Sequence, residues 1–234
     1  MTKCVEISYN KVAICLSGQV RHHFAESVES IKRNILDLVD CDIFICVSKN
    51  NSPKLDDLVS VLDKYKVQCN ISYICDTTDK KDVPLINCID EQQRLGCIQQ
   101  SYFVTKCNDL KKTYESMNEF KYEWVIRCRL DMIILSPLID LNTLTRDKIY
   151  IPHIYKSSPK DTYYANMYDR FAIGPSDLMD IYGDWYNLLD RVEIQNEDKR
   201  DIKVVESQLA YILQKSNIEI EYLDMKMKRA GRST

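Results

Sequence analysis

Between Val12 and Cys75 the chain alternates strand-like and helix-like patterns, and this alternation restricts the fold more than any other feature. Val12–Leu16 is a short β-type run ending at Ser17-Gly18-Gln19. From His22 to Leu38 the apolar residues Phe24, Val28, Ile31, Ile35 and Leu38 recur at helical spacing. Asp42–Ser48 is almost wholly apolar, as a strand covered on both faces must be. Ser52-Pro53 supplies an N-cap and a first-turn proline to a helix striped by Leu55, Leu58, Val59 and Leu62. A third strand is predicted around Val67–Cys75. Such an order predicts parallel βαβ units and an α/β fold, with a mostly parallel mixed sheet flanked by helices. Ligands of such sheets sit beyond the carboxyl ends of the strands. That rule directs attention to Ser17–Arg21, Ser48–Asn51 and Asp76–Asp79.

The rest of the chain extends the pattern. Residues 77–90 are polar and read as a loop, followed by a long helix over Glu91–Met117. Strands are predicted over Glu123–Leu135, Lys148–Ile154, Arg170–Gly174 and Ile218–Leu223, and helices over Pro175–Leu189 and Lys203–Gln214. Pro137 ends the first of these strands. No repeat or linker divides the sequence, so residues 1–225 are expected to form one domain, with 226–234 a basic, mobile tail.

Composition excludes several classes. A net charge of −3 enforces no basic face, so nucleic acid is not the expected partner, and any bound anion must be held by local arginines. No apolar run reaches the roughly 18 residues that span a bilayer, and Met1–Asn10 lacks a signal-peptide core. The expected location is cytoplasmic, or the host cytoplasm for a viral chain, and the sequon at Asn70 is expected to go unused. None of the 10 cysteines forms a C-x-x-C pair, so they read as reduced, structural thiols.

The sharpest chemical feature is Arg127-Cys128-Arg129-Leu130-Asp131. Strand alternation places Arg127, Arg129 and Asp131 on one face. Charges on a buried strand must be paired or face a polar cleft. Two readings follow: an edge strand with a solvated ion-pair ladder, or a site where Asp131 holds a divalent cation and the arginines place anionic oxygens. In Ser17-Gly18-Gln19-Val20-Arg21, Gly18 permits a close backbone approach and Arg21 can meet a phosphate, although a plain β–α turn explains Gly18 equally well. With only 5 glycines, no two close together, no dinucleotide-type glycine-rich turn is present.

Asp161–Gly174 interleaves Tyr163, Tyr164, Asn166 and Tyr168 with Asp169 and Arg170, which suits sugar recognition or a loop packed on the domain. Asp169 is a candidate second acid. Glu206, near the start of the helix from Lys203, is either a general base or a first-turn glutamate favourable to the helix dipole. His153, at a strand end, is a candidate metal ligand or a surface position.

Taken together, several segments resemble a known family. They are the Ser17–Arg21 turn, Asp42-Ile43-Phe44-Ile45, the strand Tyr122–Asp131, Ile149–Pro152, Asp169–Gly174 and Glu206–Leu209. Their order and spacing resemble small GT-A-type glycosyltransferases of bacterial surface-polysaccharide clusters, large DNA viruses and algae. The resemblance runs from Val12 to Leu223. It implies a GT-A-like fold, a nucleotide-diphosphate-sugar donor, a glycan or other hydroxyl acceptor, and Mn²⁺ or Mg²⁺ on the diphosphate. It implies a metal role for Asp131, donor-side roles for Ser17, Gly18, Arg21, Arg127 and Arg129, and acceptor-side roles for Asp169 and Glu206. Position 129 holds Arg where an Asp-x-Asp pattern has its first acid, leaving one protein carboxylate for the metal. Two other classes stay open: a nucleotidyltransferase on a similar sheet, and a non-catalytic binding domain.

Overall fold

The computed structural model describes residues 12–20, 23–48, 55–64, 70–74, 91–153, 169–191 and 205–231. Within them the first half follows the expected alternation: β1 (Val12–Gly18), α1 (Phe24–Ile31), β2 (Cys41–Ser48), α2 (Leu55–Lys64) and β3 (Asn70–Ile74). Then come α3 (Glu91–Met117), β4 (Trp124–Arg129), β5 (Met132–Ile134), β6 (Lys148–Pro152), β7 (Phe171–Gly174), α4 (Ser176–Gly183), α5 (Val205–Lys215), β8 (Glu219–Leu223) and β9 (Met227–Arg229).

Seven strands form one sheet in the order β3-β2-β1-β4-β7-β6-β8. Strands β3, β2, β1 and β4 are mutually parallel. β7 runs antiparallel to both β4 and β6, and β8 is parallel to β6. The fold is therefore α/β with a mixed, mostly parallel sheet. β1 lies between β2 and β4, and each residue from Val12 to Ser17 is buried, which is why that run carries no charge. Helix α3 packs across β1 and β2 and against α4. Its Tyr114 meets Phe44 of β2 edge to face at 5.7 Å between centroids. None of the described helices is long and apolar enough to cross a membrane.

Four expectations change. The single strand over Glu123–Leu135 is two strands, with β5 in a separate two-stranded sheet with β9. The last bond of β4 to its neighbour runs from Arg129 N to Arg170 O, after which Leu130-Asp131 turn the chain out of the large sheet. Apolar alternation reads the same through such a turn, so the sequence pattern could not mark it. The helix expected to run to Leu38 becomes π-helical over Lys32–Leu36. There the buried Asn34 donates from Nδ2 to Ile134 O, and its own carbonyl accepts from Leu138 N, tying the turn to β5. The helix from Pro175 stops at Gly183 and continues as a 3₁₀ turn, Trp185–Arg191. A Cβ at Gly183 would lie 2.4 Å from the Asn108 side chain, so α3 and α4 approach closely only at a glycine.

The fourth change bears on function. The tail from Lys226 is not loose: Met227–Arg229 pairs with Ile134–Met132. Ala230 N donates to Asp131 O at 2.9 Å.

Candidate functional site

The carboxyl end of β1 has Gly18 at φ +126°, a conformation that L side chains rarely adopt. A Cβ there would meet nothing within 4 Å, so backbone conformation and not crowding selects the glycine. Beside it, at the end of β4, Asp131 is buried and its carboxylate is held on both oxygens. Arg129 Nε donates to Oδ1 at 2.9 Å and Nη2 to Oδ2 at 2.8 Å, a two-point fork. Arg229, delivered by β9, donates from Nε to Oδ2 at 3.1 Å.

The network continues across α3. Arg129 Nη1 donates to Gln100 Oε1 at 3.1 Å, and Gln100 Nε2 donates to Asp169 Oδ2. Asp169, just before β7, is buried, and Arg170 Nε lies 3.8 Å from its Oδ1. That Oδ1 accepts no hydrogen bond among the described residues. The chain of contacts is Arg229–Asp131–Arg129–Gln100–Asp169–Arg170. Among the described residues it joins three guanidiniums and two carboxylates at the end of the sheet where ligands of such folds bind.

The tail also reaches the β1 side. Gly231 has φ +74°, and a Cβ on it would lie 2.6 Å from His23 Cδ2. The residues after β9 thus run against the segment that follows the Ser17–Arg21 turn. Arg127 shares the α3-facing side of β4 with Arg129 but lies deeper, only 3 % exposed. It lines a small cavity with Ser17, Cys107 and Tyr182, and does not join the network. Burial pushes the Cys128 thiol up to about 12, with Asp131 adding to the shift and Arg127 and Arg129 opposing it. It stays protonated between the two arginines.

Other expected residues fall elsewhere. His153 stands past the end of β6, two strands from β4, exposed and edge-on to Tyr222 at 5.5 Å between centroids. It packs on β8 and does not approach Asp131's partners. Glu206 lies in the first turn of α5, but its side chain is outside the described residues. So are Arg21, residues 49–51 and 76–79, and 161–168 of the tyrosine-rich segment. Gln208, two residues after Glu206, is buried and accepts from Cys97 Sγ at 3.0 Å, which turns the start of α5 toward α3.

The described residues around Asp131 do not fit a divalent cation. Its carboxylate is already engaged by two guanidiniums, whose charge opposes a cation, and hard cations require oxygen ligands. Among the described residues, no group of three His, Cys, Asp or Glu is placed to hold a metal. Asp131 instead fixes the geometry of Arg129 and Arg229 at this end of the sheet.

Gln100, His23 and Arg229 were not legible as site residues. Gln100 is one of four glutamines between Glu91 and Gln100, with no spacing that separates it from the others. Arg229 lies in a basic stretch that reads as solvated tail.

Residues 7–228 match a family described as a domain of unknown function, DUF7796. The chain belongs to that family. The match covers the seven-stranded sheet with Asp131 and Asp169, and ends one residue before Arg229. No curated protein matches the chain.

Proposed function

We propose that this DUF7796 protein transfers a glycosyl group from a nucleotide-diphosphate sugar to a hydroxyl acceptor. The observation that carries the reading is the network Arg229–Asp131–Arg129–Gln100–Asp169, which gathers arginines and acids at the carboxyl end of the parallel strands. The GT-A-type resemblance supports the same reading, and the mixed, mostly parallel sheet is compatible with it.

In this account the diphosphate lies beyond Gly18, where a Cβ would meet nothing, and its oxygens meet the half-buried Arg129, Arg170 and Arg229. Asp131 anchors two of these arginines and touches no substrate. Transfer forms a bond from the acceptor oxygen to the anomeric carbon and breaks the bond from that carbon to the diphosphate. Charge growing on the leaving diphosphate falls on guanidiniums already in place, so little reorganisation accompanies the step. The acceptor's proton passes to Asp169 Oδ1, the oxygen that accepts no hydrogen bond within the network. A single displacement of this kind inverts the anomeric centre.

The test is release of nucleotide diphosphate from UDP-, GDP- and TDP-sugars, with and without Mn²⁺ and with simple glycoside acceptors. One donor should be consumed without added Mn²⁺. Asp169→Asn should lower turnover by roughly 10²–10⁴-fold, the usual contribution of general base catalysis. Turnover by Asp169→Asn equal to that of the parent would overturn the assignment of the base, and inertness of every donor would overturn the reading as a transferase.

A further inference from the structure

Beneath the network lies a second cationic feature that donor binding does not use. Arg127 is only 3 % exposed, and its Nε and Nη1 are buried and make no hydrogen bond among the described residues. It lines a small, partly open cavity of about 10 Å³ between β1, β4, α3 and α4. Arginine stays charged in any protein environment, so burial cannot be relieved by loss of a proton. An isolated buried charge is strongly unfavourable without a partner.

The walls supply no countercharge. Polar groups at the cavity come from Cys15, Ser17, Cys107, Asn108 and Tyr182; the remainder is aliphatic or glycine, and no carboxylate lines it. Cys107 is held neutral, because burial drives its thiol well above the ordinary range. Tyr182 is likewise kept protonated, first by burial, and donates its hydroxyl to Asp169 O at 3.3 Å. Asn108 Nδ2 donates to Asp180 O at 3.3 Å. The lining is mostly apolar, and Cys107, Asn108 and Tyr182 already donate to backbone carbonyls, which leaves Arg127 Nε and Nη1 unbonded beside the cavity among the described residues. Its volume has room for one water-sized particle.

We propose that the cavity at Arg127 is an internal site for one small monovalent anion of halide size, bound through Nε and Nη1. A halide brings the missing charge, whereas a water brings only a dipole. The anion would fix the floor of β1 and β4 beneath Ser17 and Arg129. This assignment is independent of the proposed transferase activity and stands if that activity fails.

The test uses the full chain in sodium isethionate, exchanged for sodium chloride or bromide at constant ionic strength. Thermal midpoints should rise with saturable halide dependence, by roughly 5–10 °C at one hundred times the dissociation constant. Arg127→Met should remove that dependence. Crystals grown in bromide should show an anomalous peak within contact distance of Arg127 Nε and Nη1, which decides the matter even where the variant does not fold. Equal halide dependence in Arg127→Met, no preference for halide over isethionate, or a water at the position in bromide would each overturn the proposal.

Discussion

Helix α3 carries a buried ionic cluster toward each end, and the two differ in how fully their polar atoms are used. Toward the carboxyl end, Lys111 is completely buried, and its three protons find Glu115 Oε2 at 3.0 Å, Ser176 Oγ at 2.5 Å and Asp180 Oδ1 at 2.8 Å. Glu115 Oε1 in turn accepts from Ser176 Oγ at 2.6 Å and Tyr122 N at 3.0 Å. Lys121 adds a second cation, 2.6 Å from Asp180. Every proton on the Lys111 amine has its acceptor. Toward the amino end, around Gln100, Asp169 Oδ1 and the Arg127 Nε and Nη1 atoms remain unbonded among the described residues. A closed cluster holds α3 to α4. An open one keeps hydrogen-bonding capacity for something that arrives later.

The comparison breaks most visibly at Lys111. Lys111→Met takes the buried cation from buried Glu115 and half-buried Asp180, leaving them only Lys121, and should lower unfolding free energy by about 3 kcal/mol in urea titrations. An effect within 0.5 kcal/mol would mean that the cluster is not a structural brace. By contrast Asp169→Asn keeps an oxygen for Gln100 Nε2 and loses only the longer pairing with Arg170, so it should change unfolding free energy by about 1 kcal/mol while turnover collapses.

Tail placement gives a smaller effect. Gly231→Ala meets both a positive φ and a 2.6 Å contact with His23 Cδ2, and should cost about 1–2 kcal/mol and weaken donor binding by displacing Arg229. Paired measurements of Tm and donor affinity would separate the two consequences. Unchanged affinity would detach Arg229 from the site.

Acidity sharpens the contrast further. Burial tends to raise Glu115 and Asp180, but bonds from Ser176, Tyr122 N and Lys111, and from Lys111 and Lys121, outweigh it and leave both below the ordinary carboxylate value. For groups depressed in the folded state, the stabilisation is complete above the unfolded value, near 4, and is lost as pH falls through the folded one. Stability should therefore drop below about pH 4, and Glu115→Gln should flatten that slope. A slope unchanged by the substitution would remove Glu115 from the cause.

Much of this architecture was legible in the residues themselves. Unbroken apolar runs such as Ile43–Val47 marked strands covered on both faces, and the long helix over Glu91–Met117 followed its expected bounds. Strand alternation correctly put Arg127 and Arg129 on one side of β4. It could not say that one would end in a small apolar pocket and the other on Asp131, because depth depends on α3 and α4. Nor could it find Arg229, whose role depends on pairing Met227–Arg229 with a strand that local pattern merged into β4. The site is assembled from segments some 30 to 100 residues apart, and periodicity reports only neighbours.

The most direct test of the central claim is a thermal-shift series with UDP-, GDP-, TDP- and CMP-sugars, each with and without Mn²⁺. A donor at one hundred times its dissociation constant adds about 2.7 kcal/mol, roughly 5–10 °C for a chain of this size. The account predicts that one diphosphate sugar raises the midpoint without Mn²⁺, that Arg229→Ala weakens the shift, and that CMP-sugars leave it unchanged. No shift from any diphosphate sugar, or a shift that appears only with Mn²⁺ and survives Arg229→Ala, would contradict a donor site built from arginines.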